Sequence, residues 1–121
     1  MATVDDDGFL ALDTVTPLHW AGVLLATISG LLHLAFAPGL LPSGMGIGFV
    51  VAGVGFLVGA AAVLADFRRT QLYLLGIPFT LGQIVLWYVV NAPNFSTFGL
   101  VDKVVQVLFV VVVAVLYSRE R

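Results

Sequence analysis

The 121-residue chain contains no cysteine, one lysine, one glutamate and two histidines. Without thiols there is no disulfide, no thiolate metal centre and no cysteine nucleophile. Charge of either sign is scarce: Asp, Glu, Lys and Arg make up 10% of the residues, against about 25% in an ordinary soluble domain. The net charge of -2 comes with no basic patch, which argues against nucleic acid as a partner. No serine–histidine–acid order, nucleotide-binding glycine loop or metal-ligand spacing occurs. No catalytic residue, metal or cofactor is therefore assigned, and a non-enzymatic role is expected.

What the chain does have is apolar: 60% of its residues are hydrophobic. A soluble core of this length would leave much of that surface facing water, whereas lipid accepts apolar side chains on every face of a helix. The chain is thus expected to be an integral membrane protein with the lipid bilayer as its first partner. A hydrocarbon layer of about 30 Å asks for about 20 apolar residues per helix. Four segments meet that need, near 17–37, 44–65, 71–91 and 99–117, and they make up one domain over 17–121. The joints "APGLLPSG", "ADFRRTQ" and "NAPNFSTFG" are short and rich in turn or charged residues. Short joints make consecutive helices antiparallel neighbours, so the expected fold is all-α, a transmembrane up-down-up-down four-helix bundle. Residues 1–16, "MATVDDDGFLALDTVT", open on acids instead of the basic region of a signal peptide and are expected to remain as a flexible acidic tail.

Basic residues in short loops stay on the cytoplasmic side. Arg68 and Arg69 fall in the second joint, and Arg119 and Arg121 follow the last helix, with only Lys103 opposing them. The expected orientation is N-in, C-in, with both termini cytoplasmic in the cell membrane. The aromatic residues agree, with Trp20, Tyr73 and Tyr117 near the inner interface and Trp87, Tyr88, Phe95 and Phe98 near the outer one.

Helical phase sorts the remaining polar and small residues. In the first helix His19, Gly22, Ala26, Ser29, Gly30 and His33 recur at steps of three and four and form one stripe, which reads as a helix-packing face. The second helix repeats the small-xxx-small pattern at Gly44/Gly48 and Gly55/Gly59, suited to close contact within the bundle or with a second chain. Gln83, Trp87 and Asn91 share a face of the third helix, and Asp102 and Gln106 share one on the fourth. His33 reaches the same depth, so His33, Gln83, Asp102 and Gln106 are expected to meet in the outer half, capped by Asn91 and Lys103. Ionisable residues within hydrocarbon are costly and mark candidate functional sites. His33 needs protein partners there, with Asp102 and a glutamine as the candidates. His19, beside Pro17 at the inner interface, is expected to be satisfied by water and headgroups without help from another helix.

The stretches "LHWAGVLLATISGLLHL", "FVVAGVGFLVGAAAVLADFRRTQLYLLGIPFTLGQIVLWYVVNAP" and "VDKVVQVLFVVVVAVLY" resemble a family of small four-helix membrane proteins from salt-loving archaea. The resemblance covers nearly the whole chain after the tail, and implies membrane location and a halophilic archaeal host. It brings no assigned activity and therefore no catalytic residue. One lysine against six aspartates agrees with a salt-adapted proteome.

Three function classes fit these features. The foremost is an accessory or interaction subunit that packs on a larger membrane complex or on copies of itself, which needs nothing the sequence lacks. A small proton- or cation-coupled transporter or channel would use the outer polar cluster. A haem b electron carrier would use His19 and His33, fourteen residues apart and nearly in phase, as axial ligands in a dimer.

Overall fold

A computed structural model describes residues 10–121, so the acids at 5–7 lie outside the described residues. Four long helices make up the structure: α1 (Pro17–Phe36), α2 (Gly44–Leu64), α3 (Arg69–Asn91) and α4 (Thr97–Glu120). Short 3-10 turns occur at Leu12–Thr14 and Ala37–Gly39, and there is no strand among the described residues. All four helices are long and apolar enough to cross a membrane.

The helix starts follow from local chemistry. Thr16 caps α1: its hydroxyl accepts from the His19 N–H, its own N–H donates to His19 Nδ1, and Pro17 occupies the first helical position, where no N–H is needed. Ser43 caps α2 through Gly46 and Ser96 caps α4 through Gly99. α3 begins without a side-chain cap, after Asp66 and Arg68 at positive φ of 54° and 50°. Arg69 fixes this joint from a buried position, donating from Nε to the Val63 carbonyl at 2.8 Å and from a terminal nitrogen to Thr14 Oγ1 at 2.8 Å.

That second bond involves the described part of the expected tail. Residues 10–16 are held against the bundle, because Arg69 binds Thr14 and the Ala11 N–H donates to the Leu64 carbonyl at 2.8 Å. A buried guanidinium and the free carbonyls at the end of α2 need partners, and the segment before α1 supplies them.

α1 packs against α2 and α4, α3 packs against α4, and α2 and α3 barely touch. Paired residues run in opposite order along each partner, as His19 to Glu120 and Ser29 to Asp102 show for α1 and α4. Glycine sets the α1–α2 distance: a Cβ on Gly30 would lie 3.1 Å from the Gly53 carbonyl oxygen, and one on Gly53 would lie 2.6 Å from Leu34 Cγ. Gly22 faces Val112, and Gly55 seats the Phe79 ring. The other glycines expected at contacts make none within this chain. A Cβ on Gly44, Gly48 or Gly59 would have no atom within 4 Å, and these positions border cavities instead. Spacing put each small-xxx-small pair on a face; which part of that face meets a neighbour depends on where α2 crosses α1, and that crossing is centred on Gly53.

Large apolar side chains point outward, with Val89 at 71% and Leu75 at 66% exposure, as a lipid-facing surface allows. The interior divides by depth. Between its middle and the end where α1 begins and α4 ends lies an apolar layer, built on Val23, Ala26, Phe56, Ala60, Val113 and Leu116, with Phe56 edge-on to Phe79 and Phe109. Toward the other end it is polar. Among side chains less than 2% exposed, the largest are Gln106, Thr80, Asp102 and Ser29, all of them hydrophilic.

Candidate functional site

Three helices build the polar interior. Ser29 and His33 lie one turn apart on α1, Asp102 and Gln106 one turn apart on α4, and Gln83 comes from α3. The Ser29 hydroxyl donates to Asp102 Oδ1 at 2.7 Å. Gln106 Nε2 donates to Gln83 Oε1 at 3.0 Å and to Ser29 Oγ at 3.3 Å. One network thus links α1, α3 and α4.

Two assignments within it change. Lys103, expected as a cap, is buried, and its ammonium donates to Asp102 Oδ2 at 2.7 Å and to Gln106 Oε1 at 2.8 Å. Adjacent helix residues do not face one another, but a four-methylene stem can fold back across that gap. The carboxylate therefore has lysine as its counter-charge, and His33 stands further off, with Nε2 3.8 Å from Asp102 Oδ2. His33 Nδ1 lies 2.7 Å from the Ser29 carbonyl oxygen, a contact that requires the proton on Nδ1 and leaves Nε2 as the basic nitrogen. Asn91 stays outside the network, donating to the Trp87 carbonyl of its own helix.

Beside the network lies a cleft of about 750 Å³ whose wall includes His33, Gln83, Asp102 and Lys103. The Lys103 ammonium sits 5.9 Å from the centre of the Trp87 ring, within cation–π range. A second cavity, of about 400 Å³ and nearly all apolar, occupies the half where α1 begins and α4 ends. Residues of α2 and α3 line both, and the Phe79 ring seated on Gly55 borders the smaller one. Among the described residues no three metal-ligating acids or histidines converge.

A second polar cluster was missed in the sequence. His19 is only 5% exposed, and its Nε2 lies 2.6 Å from Glu120 Oε2, while the Tyr73 hydroxyl donates to the same carboxylate at 3.2 Å. His19 is therefore satisfied by α4 and by Thr16, not by water and headgroups. The available signal was the up-down order, which puts the start of α1 level with the end of α4; a terminal glutamate reads more readily as a solvated charge. Removing the imidazole with His19→Ala is expected to cost about 1.5–3 kcal/mol, the range for a hydrogen bond to a charged group. Glu120→Gln in that background should cost little more, and thermal melts in detergent would read both effects; fully additive losses would mean the two side chains do not interact.

Residues 6–117 match the model described as Family of unknown function (DUF7475). The chain belongs to this family. No curated protein and no solved structure matched. The DUF7475 match contains every residue of the buried network and ends before Glu120, so of the two polar clusters only the network lies wholly within the family's span.

Proposed function

We propose that this integral membrane protein is a non-enzymatic accessory protein of the cell membrane that works by binding, either to a second copy or larger membrane complex or to a molecule dissolved in the bilayer. The observation that carries this reading is the buried Asp102–Lys103–Gln106–Ser29–Gln83 network beside a cleft that α2 and α3 leave unclosed. Buried charge in a bundle core is expensive to keep and marks a working site. Its chemistry suits holding, not bond-breaking: the Ser29 proton goes to Asp102, and the basic nitrogen of His33 points away from that hydroxyl. Native mass spectrometry of protein released from detergent is expected to show retained lipid, a second copy or a partner. Only the bare chain mass would overturn the proposal.

A proton- or cation-coupled transporter is the second reading. It is favoured by the polar clusters in both halves and by the Thr80 hydroxyl, fully buried and without a hydrogen-bond partner among the described residues. Haem ligation by both histidines fares worse, since His19 Nδ1 faces Thr16 and its Nε2 faces Glu120.

The proposal includes orientation, with both termini cytoplasmic, because Arg68, Arg69, Arg119 and Arg121 share one end of the bundle. The halophilic archaeal host implied by the resemblance belongs to it too. A membrane-impermeant maleimide applied outside intact cells is expected to label Asn94→Cys and to miss Asp13→Cys, both exposed positions. Labelling in the reverse pattern would invert the orientation.

A further inference from the structure

We propose that the larger cleft binds the neutral, hydroxyl-bearing head of an amphiphile that enters sideways from the bilayer. This rests on the binding reading above and names its ligand class. Access comes first. Gly44 and Gly48 of α2 line the cleft together with Gln83 and Leu86 of α3, two helices that make few contacts with each other, and a Cβ on either glycine would meet no atom within 4 Å. The glycines leave that space unobstructed on the α2 side. Its volume of about 750 Å³ falls within the roughly 300–1,000 Å³ of small-molecule sites.

The wall offers hydrogen-bonding capacity that the protein does not use. Lys103 has three N–H groups and donates two of them, to Asp102 and Gln106. His33 is 95% buried, borders the cleft, and has no hydrogen bond at Nε2 among the described residues. A hydroxyl can serve both, donating to the basic Nε2 and accepting from the ammonium. Charge then selects the head. Asp102 and Lys103 cancel, so a charged head would leave net charge in a low-dielectric interior, whereas a neutral one would not. An apolar tail suits the remaining wall, which Phe49, Met45 and Trp87 help to form. A partial glyceride and a long-chain quinol share this chemistry.

The test uses Trp87, which borders the cleft, in a Trp20→Phe background that removes the other tryptophan, an exposed one. The full chain is reconstituted in vesicles with dibromostearoyl glycerol, or with the phosphate or the amine of the same brominated chain. The expected result is saturable quenching of Trp87 by the glycerol ester, well above that of either charged analogue and of brominated bulk lipid. Gly48→Phe, which fills the cleft from open space, should abolish it, while Gly59→Phe in the other cavity should leave it intact. Relief of quenching by an unbrominated quinol supports the phenolic source, and relief only by unbrominated glyceride supports the glyceride. Equal or stronger Gly48→Phe-sensitive quenching by a charged analogue overturns the neutral-head inference but leaves a binding cleft standing. Quenching that never exceeds bulk lipid, together with a bare chain in the mass spectrum, overturns both.

Discussion

Lys103→Met is expected to be among the most damaging single changes, costing about 3–5 kcal/mol, the range for breaking a buried ion pair by removing one partner. Methionine keeps most of the stem's volume, so the loss is electrostatic. Asp102 would be left 2% exposed with no counter-charge but a distant imidazole at 3.8 Å, and Gln106 Oε1 would lose its donor. The decisive comparison is the double variant Asp102→Asn/Lys103→Met, which removes both charges. It should recover most of the lost stability, because replacing a whole buried pair is often close to neutral. Melting followed by circular dichroism in detergent would measure all three proteins. A single-variant cost below about 1 kcal/mol would mean that the pair is solvated like a surface salt bridge.

Gly53→Leu is expected to rival it for a different reason. Even the first added carbon would lie 2.6 Å from Leu34 Cγ and 2.9 Å from the Gly30 carbonyl oxygen. Side chains can rotate away but a helix backbone cannot, so α1 and α2 must separate. Overpacking of this kind costs about 1–3 kcal/mol, and the further atoms of leucine push toward the upper end. Gly48→Ala, on the same helix but facing open space, should be neutral or slightly stabilising, since alanine is the better helix former. If both proteins melt together, the crossing is not where the glycines place it.

These effects mark the boundary of what could be read in advance. The four apolar runs were plain, because an 18-residue stretch with almost no charge has few alternatives. The short joints also made it legible that polar residues of α1, α3 and α4 could share a level, although Ser29, which bonds Asp102, read only as part of a packing stripe. Pairwise detail was not legible. The choice of Lys103 over His33 as the partner of Asp102 depends on how a flexible stem folds, which periodicity does not encode. The contact at Gly53 and the open space at Gly44, Gly48 and Gly59 depend on the crossing point of two helices, a tertiary quantity. The docking of residues 10–16 depends on Arg69 turning inward, where orientation rules expect a solvated charge.

The uneven closure of the bundle also has a mechanical side. At one end a short joint links α2 to α3, and Arg69 rivets that joint to Val63 and Thr14. At the other end α2 and α3 are each joined to a different helix, so nothing ties them together there. This is the geometry of a clothes-peg, sprung at the riveted end and free at the jaws, with the Phe79 ring on Gly55 as its fulcrum. With about 1.5 Å of rise per residue, the part of α2 from Gly55 back to its start at Gly44 forms an arm of roughly 16 Å, so a tilt of about 5° moves the free jaw by roughly 1.4 Å. The charged residues lie toward the jaws, and the apolar cluster around Phe56 lies between them and the riveted end.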